Sequence, residues 1–343
     1  MSARVLGWDI GGAHLKLALA EDGHITDARQ IPCALWQGLD KLREAIAAGL
    51  DGLPDAGRHA VTMTGELADL FPDRASGVAA ILEVLVEILG SGAIAVYGSE
   101  GGFLAVDAAK AAPDRVGSAN WHATAHWLAH ALGDGLLLDI GSTTTDIVPF
   151  RAGAVSARGM TDADRLATGE LVYTGIVRTP LMAVARRIPF EGHTLGVMAE
   201  YFATAADAHR LAGTLPEGAD LHPAADGRGK SPAESRARLA RMIGMDAAAA
   251  PEAAWRRLAE AFVHRQIEQI AAETERVLAA VDLPPAAPVI GAGTGRFLAE
   301  EIARRFGRPY RSFESVVAAP PSLAALVADI APAAAVALLR SSA

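Results

Sequence analysis

A single cysteine, Cys33, in a chain of 343 residues excludes any intrachain disulfide. Its expected part is that of a small buried apolar side chain. No apolar run reaches the ~18 residues that a membrane-crossing helix requires. The opening residues, MSARVLGWDIGG, carry neither a long apolar stretch nor a small-residue cleavage site, so a cytoplasmic protein is expected. Positive charge is in deficit as well: 31 Lys+Arg stand against 40 Asp+Glu, a formal charge of −9. Phosphate backbones are held by clustered cations, so this balance argues against a non-specific nucleic-acid binder. With hydrophobic residues at 51% and charged ones at 21%, the chain has a globular composition and length for two cores.

The pattern along the chain predicts strands over Arg4–Ile10, Leu15–Ala20 and Ile25–Ile31, broken by Gly11-Gly12 and by Asp22-Gly23. A helix is expected over Leu39–Leu50, a strand over Ala60–Thr64, a helix over Ala79–Leu89, a strand over Ala93–Tyr97 and a helix over Trp121–Ala131. The opening pattern then returns. Leu136–Ile140 ends in Asp-Ile-Gly, and Ile147–Arg151 and Val155–Arg158 follow across Gly153. A strand, an Asp-x-Gly turn and a second strand occur twice about one domain length apart, which implies an internal duplication. Residues 1–130 form the expected first domain and 131–321 the second. Residues 196–250 read as an insertion, with helices over Met198–Leu211 and Ser235–Ile243 around a polar stretch. A long helix over Pro251–Val281, a strand over Pro288–Ile290 and a helix from Phe297 follow. Leu323–Leu339 is expected as a terminal helix, the segment 322–341 packing back on the first domain.

Three glycine-rich turns carry chemistry. In the first, Asp9 is followed by Gly11 and Gly12, with Lys16 beyond. The second, Asp139-Ile140-Gly141-Ser142-Thr143-Thr144-Thr145-Asp146, repeats that logic with hydroxyl donors added. The third, Gly291-Ala292-Gly293-Thr294-Gly295, lies between a strand and a helix. A carboxylate at a strand end can face a metal-bound phosphate, and glycines let backbone N–H groups approach its oxygens. Asp9 and Asp139 are the candidate metal carboxylates. Asp146 could join them, orient the second loop or cap a turn. Glu66, just after a strand, reads as a general base or a helix-start glutamate. His14 sits in a turn region and reads as a surface or packing residue, and Trp121 and His122 read as core or cleft lining.

Tyr173, Thr174 and Arg178 fall in a segment too polar for a plain core strand. Arg178 could hold a carboxylate or phosphate bidentately, or stand at a strand edge. The stretch Asp226-Gly227-Arg228-Gly229-Lys230-Ser231 is no P-loop, because the glycine needed five residues before Gly229 is Ala224 and no strand precedes it. Arg228 and Lys230 could still close over an anionic substrate, or be solvated loop charges.

Together the three turns resemble the two phosphate motifs and the adenosine motif of the actin/sugar-kinase/Hsp70 superfamily. Lys16, seven residues after Asp9, stands at the offset of actin's phosphate-contacting lysine. The resemblance implies an α/β fold of two duplicated ribonuclease-H-like domains around a central cleft. Four strings narrow it: Trp8–Lys16, Met63–Asp69, Ala119–Trp121 and Gly169–Gly175. They resemble the tetrahydromethanopterin-linked one-carbon-transfer pathway proteins, beside the hydantoinase/oxoprolinase group. That family includes an archaeal methylofuran-biosynthesis enzyme joining the phenol of γ-glutamyltyramine to an aminomethylfuran-methyl diphosphate with release of pyrophosphate. The resemblance implies a small phosphorylated substrate and Mg²⁺ or a similar divalent ion, with ATP possible but not expected to be required. Asp9, Lys16, Glu66 and Asp139 would then be catalytic. Gly11, Gly12, Gly141, Ser142, Thr143, Thr144, Gly291, Gly293 and Thr294 would hold phosphate, and Tyr173, Arg178, Arg228 and Lys230 the substrate. An ATP-dependent kinase or hydantoinase/oxoprolinase-like enzyme of the same fold is the alternative, and a non-catalytic nucleotide switch another. No sugar-binding aspartate motif is found, which weakens the kinase reading.

Overall fold

A computed structural model describes residues 4–342. The first half runs β1 (Arg4–Ile10), β2 (His14–Glu21), β3 (His24–Pro32), α1 (Leu39–Leu50), β4 (His59–Met63), α2 (Arg74–Leu89), β5 (Ile94–Gly98) and β6 (Gly102–Leu104). The short helices α3 (Val106–Ala111) and α4 (Pro113–Val116) lead into α5 (Asn120–Leu132). Its sheet has the order β3-β2-β1-β4-β5-β6, with β1 antiparallel to β2 and parallel to β4. Strand β1 is inaccessible from Val5 to Ile10, as its apolar run requires.

The second half repeats this plan with β7 (Gly135–Ile140), β8 (Thr145–Arg151), β9 (Ala154–Val155), α6 (Asp162–Thr168) and β10 (Leu171–Val172). There follow α7 (Leu181–Val184), the hairpin β11 (Arg187–Phe190) and β12 (His193–Gly196), α8 (Ala205–Ala212), α9 (Pro232–Met242) and α10 (Glu252–Ala280). The chain ends with β13 (Val289–Ala292), α11 (Arg296–Arg305), β14 (Tyr310–Ser312), α12 (Ala324–Asp329) and α13 (Ala331–Ser341). The second sheet is ordered β10-β8-β7-β13-β14, β7 being antiparallel to β8 and parallel to β13 as β1 is to β2 and β4. The expected duplicated two-domain α/β fold is therefore present.

Local chemistry moved several boundaries. Helix α2 starts at Arg74 rather than Ala79, because the Asp73 side chain caps it by accepting from the Ser76 amide; its first turn is polar and hides from an apolar count. The expected helix over Met198–Leu211 begins only at Ala205, where Thr204 and Asp207 form a capping box. Residues expected as one terminal helix form α12 and α13, divided at Ile330, with Pro332 in the first turn of the second. The region of the expected 196–250 insertion shares one core with its flanks: Leu181, Ile188 and Phe190 pack with Leu239, Met242, Trp255 and Phe262.

Helix α13 lies directly on the first sheet. A Cβ at Gly7 would stand 2.1 Å from the Ala333 carbonyl oxygen and 2.8 Å from Ala337 Cβ, so only glycine lets strand and helix approach this closely. Gly7→Ala is expected to cost about 1–3 kcal/mol by overpacking, read as a lowered urea midpoint. An unchanged midpoint would mean that α13 is not seated on β1 in solution.

Candidate active site

The two repeats end in hairpins of the same geometry. In the first, Asp9 lies opposite Lys16 and the Gly11 amide donates to the His14 carbonyl at 3.0 Å. In the second, Asp139 lies opposite Asp146 and the Gly141 amide donates to the Thr144 carbonyl at 2.9 Å. These closing bonds leave the amides of Gly12 and Ala13, and of Ser142, Thr143 and Thr144, without a backbone partner among the described residues. Successive free N–H groups on a tight loop form an anion-binding concavity. The third turn touches the second: a Cβ at Gly293 would meet the Ile140 carbonyl at 2.4 Å and Asp139 Oδ1 at 2.6 Å. Two expected phosphate donors there are otherwise engaged. The Gly293 amide donates to Ala328, and Gly291 sits inside β13, where Tyr310 leaves no room for a side chain. The Gly295 amide likewise donates to Ile140, which leaves the Thr294 amide for a phosphate.

The charges around these turns do not balance. Asp9 is 2% exposed; its Oδ2 accepts from Lys16 Nζ at 3.2 Å, and its Oδ1 is buried with no partner. Burial pulls the Lys16 ammonium down, but Asp9, Asp139 and Asp329 outweigh that and hold it above the ordinary lysine value. Burial pushes the Asp139 carboxyl up to about 7, with Asp146, Asp9 and Asp329 adding to the push and Lys16 opposing it. Asp146 is raised by burial too, although Arg165 binds its Oδ1 at 2.8 Å. Arg165 is buried and stacks 3.9 Å over the Trp121 ring.

The orphaned Asp9 oxygen and the raised Asp139 carboxyl fit a divalent cation lodged between the repeats. Among the described residues no group of three His, Cys, Asp or Glu side chains is arranged to hold a metal alone. An ion here would complete its shell with ligand oxygens and water, as Mg²⁺ commonly does.

Glu66 follows β4 in a single 3-10 turn packed against Gly11, for a Cβ at Gly65 would lie 3.1 Å from the Ile10 carbonyl oxygen and 3.4 Å from the Gly11 carbonyl carbon. It is 1% exposed. Ser118 Oγ donates to its Oε1 at 2.8 Å, while its Oε2 is buried without a partner. Burial raises this carboxyl, against Ser118 and Arg74. Ser118 is in the left-handed region at φ 52°, a conformation costing roughly 1–3 kcal/mol that holds the hydroxyl on Glu66. Beside them Arg74 of the first half binds Asp162 of the second at 2.8 Å.

The remaining sequence candidates fall apart into two groups. The Val177 and Arg178 amides both donate to the Ser142 carbonyl, so Arg178 stands on the second loop with its side chain exposed. Gly175 is required there, since a Cβ would meet the Thr143 nitrogen at 2.4 Å. Thr174 is buried and accepts from Gln266. Tyr173, in contrast, is 69% exposed. In the 226–231 loop Arg228 is exposed, and Lys230 is tied to Asp220 by its carbonyl at 2.8 Å and its carboxylate at 3.1 Å.

The sequence reading missed His14, His222 and Asp329 as part of this region. His14 is buried rather than superficial, its ring meeting that of His222 edge-on at 5.1 Å. Burial first, then Lys16, His222 and Arg178, lowers it to about 3, so it is neutral. Asp329 closes α12 in an alanine-rich segment with no motif around it, and it reaches the third turn through the bond from Gly293 to Ala328 and its own ion pair with Arg296.

This arrangement has the actin/sugar-kinase/Hsp70 fold: duplicated ribonuclease-H-like domains, each with a glycine turn between its first two strands. A nucleotide-free structure of acetone carboxylase, described as part of ATP-dependent acetone carboxylation, superposes at a TM-score of 0.59 over 97% of this chain and 70% of that one, at 13% identity, a likeness of fold alone. The hydantoinase/oxoprolinase family model matches residues 58–333, and the chain belongs to that family. One relative, from Methanocaldococcus jannaschii, is 34% identical over 247 residues, 72% of this chain and 73% of its own. It is a (4-{4-[2-(gamma-L-glutamylamino)ethyl]phenoxymethyl}furan-2-yl)methanamine synthase. A synthase of the same name from Methanococcus vannielii is 44% identical over 72 residues, 21% of this chain and 32% of that one. No described helix is long and apolar enough to cross a membrane.

The raised Asp139 carboxyl has a consequence for stability. Without metal, the folded chain keeps this proton up to about pH 7, whereas the unfolded chain releases it near the ordinary aspartate value of 3.8. The folded state binds the extra proton between these values, so this stabilisation is complete below the lower one and is lost as pH rises through the upper. In chelator, wild type should lose about 2–3 kcal/mol more than Asp139→Asn between pH 5 and pH 8, by urea unfolding. Parallel pH profiles would show that Asp139 is ionised throughout.

Proposed function

We propose that the protein is a synthase of a methylofuran-type cofactor, joining a phenol to the methylene carbon of a furfuryl-type diphosphate and releasing pyrophosphate. The carrying observation is the pairing of free loop amides with a buried, partly unpartnered Glu66 whose turn packs against the first loop, in a chain akin to a named synthase of such an ether. The phenol oxygen forms the new C–O bond. The bond from the methylene carbon to the diphosphate oxygen breaks, and the electron pair leaves with pyrophosphate. The phenol proton passes to Glu66, whose carboxyl is raised above the ordinary glutamate value by burial and so is the stronger base.

The amides of Gly12, Ala13, Ser142, Thr143 and Thr144 receive the diphosphate, and Lys16 adds a fixed positive charge beside Asp9. Such donors act most strongly on charge that develops as the bond breaks. A divalent cation held by Asp9 and Asp139 would supply further neutralisation of the leaving diphosphate. Asp146 would act through Arg165, keeping the second loop in place. The cation and these residue roles are part of the same proposal.

The test is to incubate the pure protein with Mg²⁺, a phenol acceptor and an aminomethylfuran-methyl diphosphate, and to assay ether, pyrophosphate and ADP. Ether and pyrophosphate should appear together without ATP; formation of ADP in step with product would replace this reading by an ATP-dependent one. Lys16→Ala should lower kcat by ~10²-fold and raise KM less, as expected of a contact that strengthens in the transition state. Glu66→Gln should lower kcat by ~10²- to 10³-fold and remove the acidic limb of its pH profile. Retention of that limb would exclude Glu66 as the base.

A further inference from the structure

A cavity of about 340 Å³ opens where the two halves and the region after Leu181 meet. The first half lends it Trp36 and Asp69. The turn fastened to the second loop lends Val177 and Arg178, and the later region Tyr201, Asp220 and His222. Its walls touch both phosphate loops: the Val177 and Arg178 amides bond Ser142 of one, and His222 meets His14 beside the other. Its size is that of an ordinary small-molecule site.

The lining sorts by what is already paired. Asp220 is held by Arg210 and Lys230, and Asp207, also on the wall, by Arg238. Burial lowers His222, with Arg178 adding to the effect, and its Nε2 is buried without a partner. Two opposite charges then stand uncommitted. Neither the Arg178 guanidinium nor the Asp69 carboxylate has an ion pair or side-chain hydrogen bond among the described residues, and both are exposed to the cavity. Two large aromatic rings are exposed there too, Trp36 at 44% and Tyr201 at 50%. They come from opposite sides of the cavity in chain order, and Trp36 approaches His222 at 6.4 Å.

We infer that this cavity is the acceptor subsite, built for an aromatic ring that carries an α-amino-acid zwitterion on a flexible tail. The ring lies against Trp36 and Tyr201, where stacking favours an aromatic ligand. Arg178 takes the α-carboxylate through its planar fork. Asp69 takes the α-ammonium. A second phosphate is a poor occupant, because Asp69, Asp207 and Asp220 would face its charge. Arg178 joins the two subsites: its amide positions the loop that receives the diphosphate, and its side chain receives the acceptor's tail. The identification of the occupant as a phenol with a (γ-glutamylamino)ethyl tail rests on the proposed function.

Binding to the intact protein, without the diphosphate, separates this inference from that reading. The probes are γ-glutamyltyramine and N-acetyltyramine, which share the phenol and differ in the zwitterion. By calorimetry the wild type should bind the first at least ~10-fold more tightly, about 1.4 kcal/mol. Arg178→Gln and Asp69→Asn should each weaken γ-glutamyltyramine by ~10-fold and N-acetyltyramine by less than ~2-fold; the retained second binding shows that the variants are folded. Trp36→Ala should weaken both probes. Equal binding of the two probes by wild type, no binding of either, or equal losses in the charge variants would overturn the subsite. Pyrophosphate release with no selective effect of Arg178→Gln would leave the synthesis standing and remove the subsite. Selective binding with no pyrophosphate release under any acceptor would do the reverse.

Discussion

Asp9 and Asp139 are held out of water beside one another, with a single ammonium, Lys16, between the repeats that carry them. The two carboxylates repel, Asp9 adding to the upward push on Asp139, and burial removes the water that would screen them. The arrangement costs stability, and the remainder of the fold absorbs it. Strand β1 is locked between β2 and β4, β7 between β8 and β13, and α13 covers the first sheet through the glycine at position 7. A site held this rigidly cannot relax by turning a carboxylate outward. It answers instead by keeping a proton on Asp139 or by taking up a cation.

The duplication is close in backbone and unequal in chemistry. Lys16 and Asp146 occupy the same place in their hairpins, opposite Asp9 and Asp139. One repeat therefore supplies a cation at its second strand, and the other supplies a third carboxylate that must be matched by Arg165. Arg165 is in turn fixed by the Trp121 face and the Glu170 carbonyl. Glu170 spends its own carboxylate on the Arg158 and Gly159 amides. Residues of the Gly169–Gly175 string thus act through Arg165 and the second loop, and their number reflects how much structure is needed to hold an unequal pair of repeats in register.

The fold was legible because strand–Asp-x-Gly–strand is a backbone pattern, and two copies of it fix the sheet order. The carboxylates and the loop glycines were legible for the same reason: they lie within seven or eight residues of each other. What the sequence did not reveal is what long-range packing creates. His222 enters the region only because the chain after Leu181 folds back toward the first half, and Asp329 only because α12 ends on the third turn. Lys230 looked free in a polar loop, but Asp220, ten residues earlier, takes its charge. The third turn shows the converse. Its glycines carry the spacing of an anion-binding loop, yet Gly291 and Gly293 make room for Tyr310 and for Asp139.

That last feature bears on how one cleft can serve different chemistries. A nucleotide phosphate and a diphosphate leaving group make the same demand at the end of a strand: free amides, a fixed cation and paired carboxylates. What distinguishes them is the remainder of the ligand. A nucleotide needs room for a base and sugar beside the third turn. Here the Gly293 and Gly295 amides are spent on Ala328 and Ile140, and Arg296 is drawn to Asp329 and Glu314. The uncommitted side chains lie instead on the other side of the second loop, at Arg178, His222, Trp36 and Asp69. Under the proposed condensation this free binding capacity would hold the second reactant, a requirement that a simple phosphoryl transfer to water does not have.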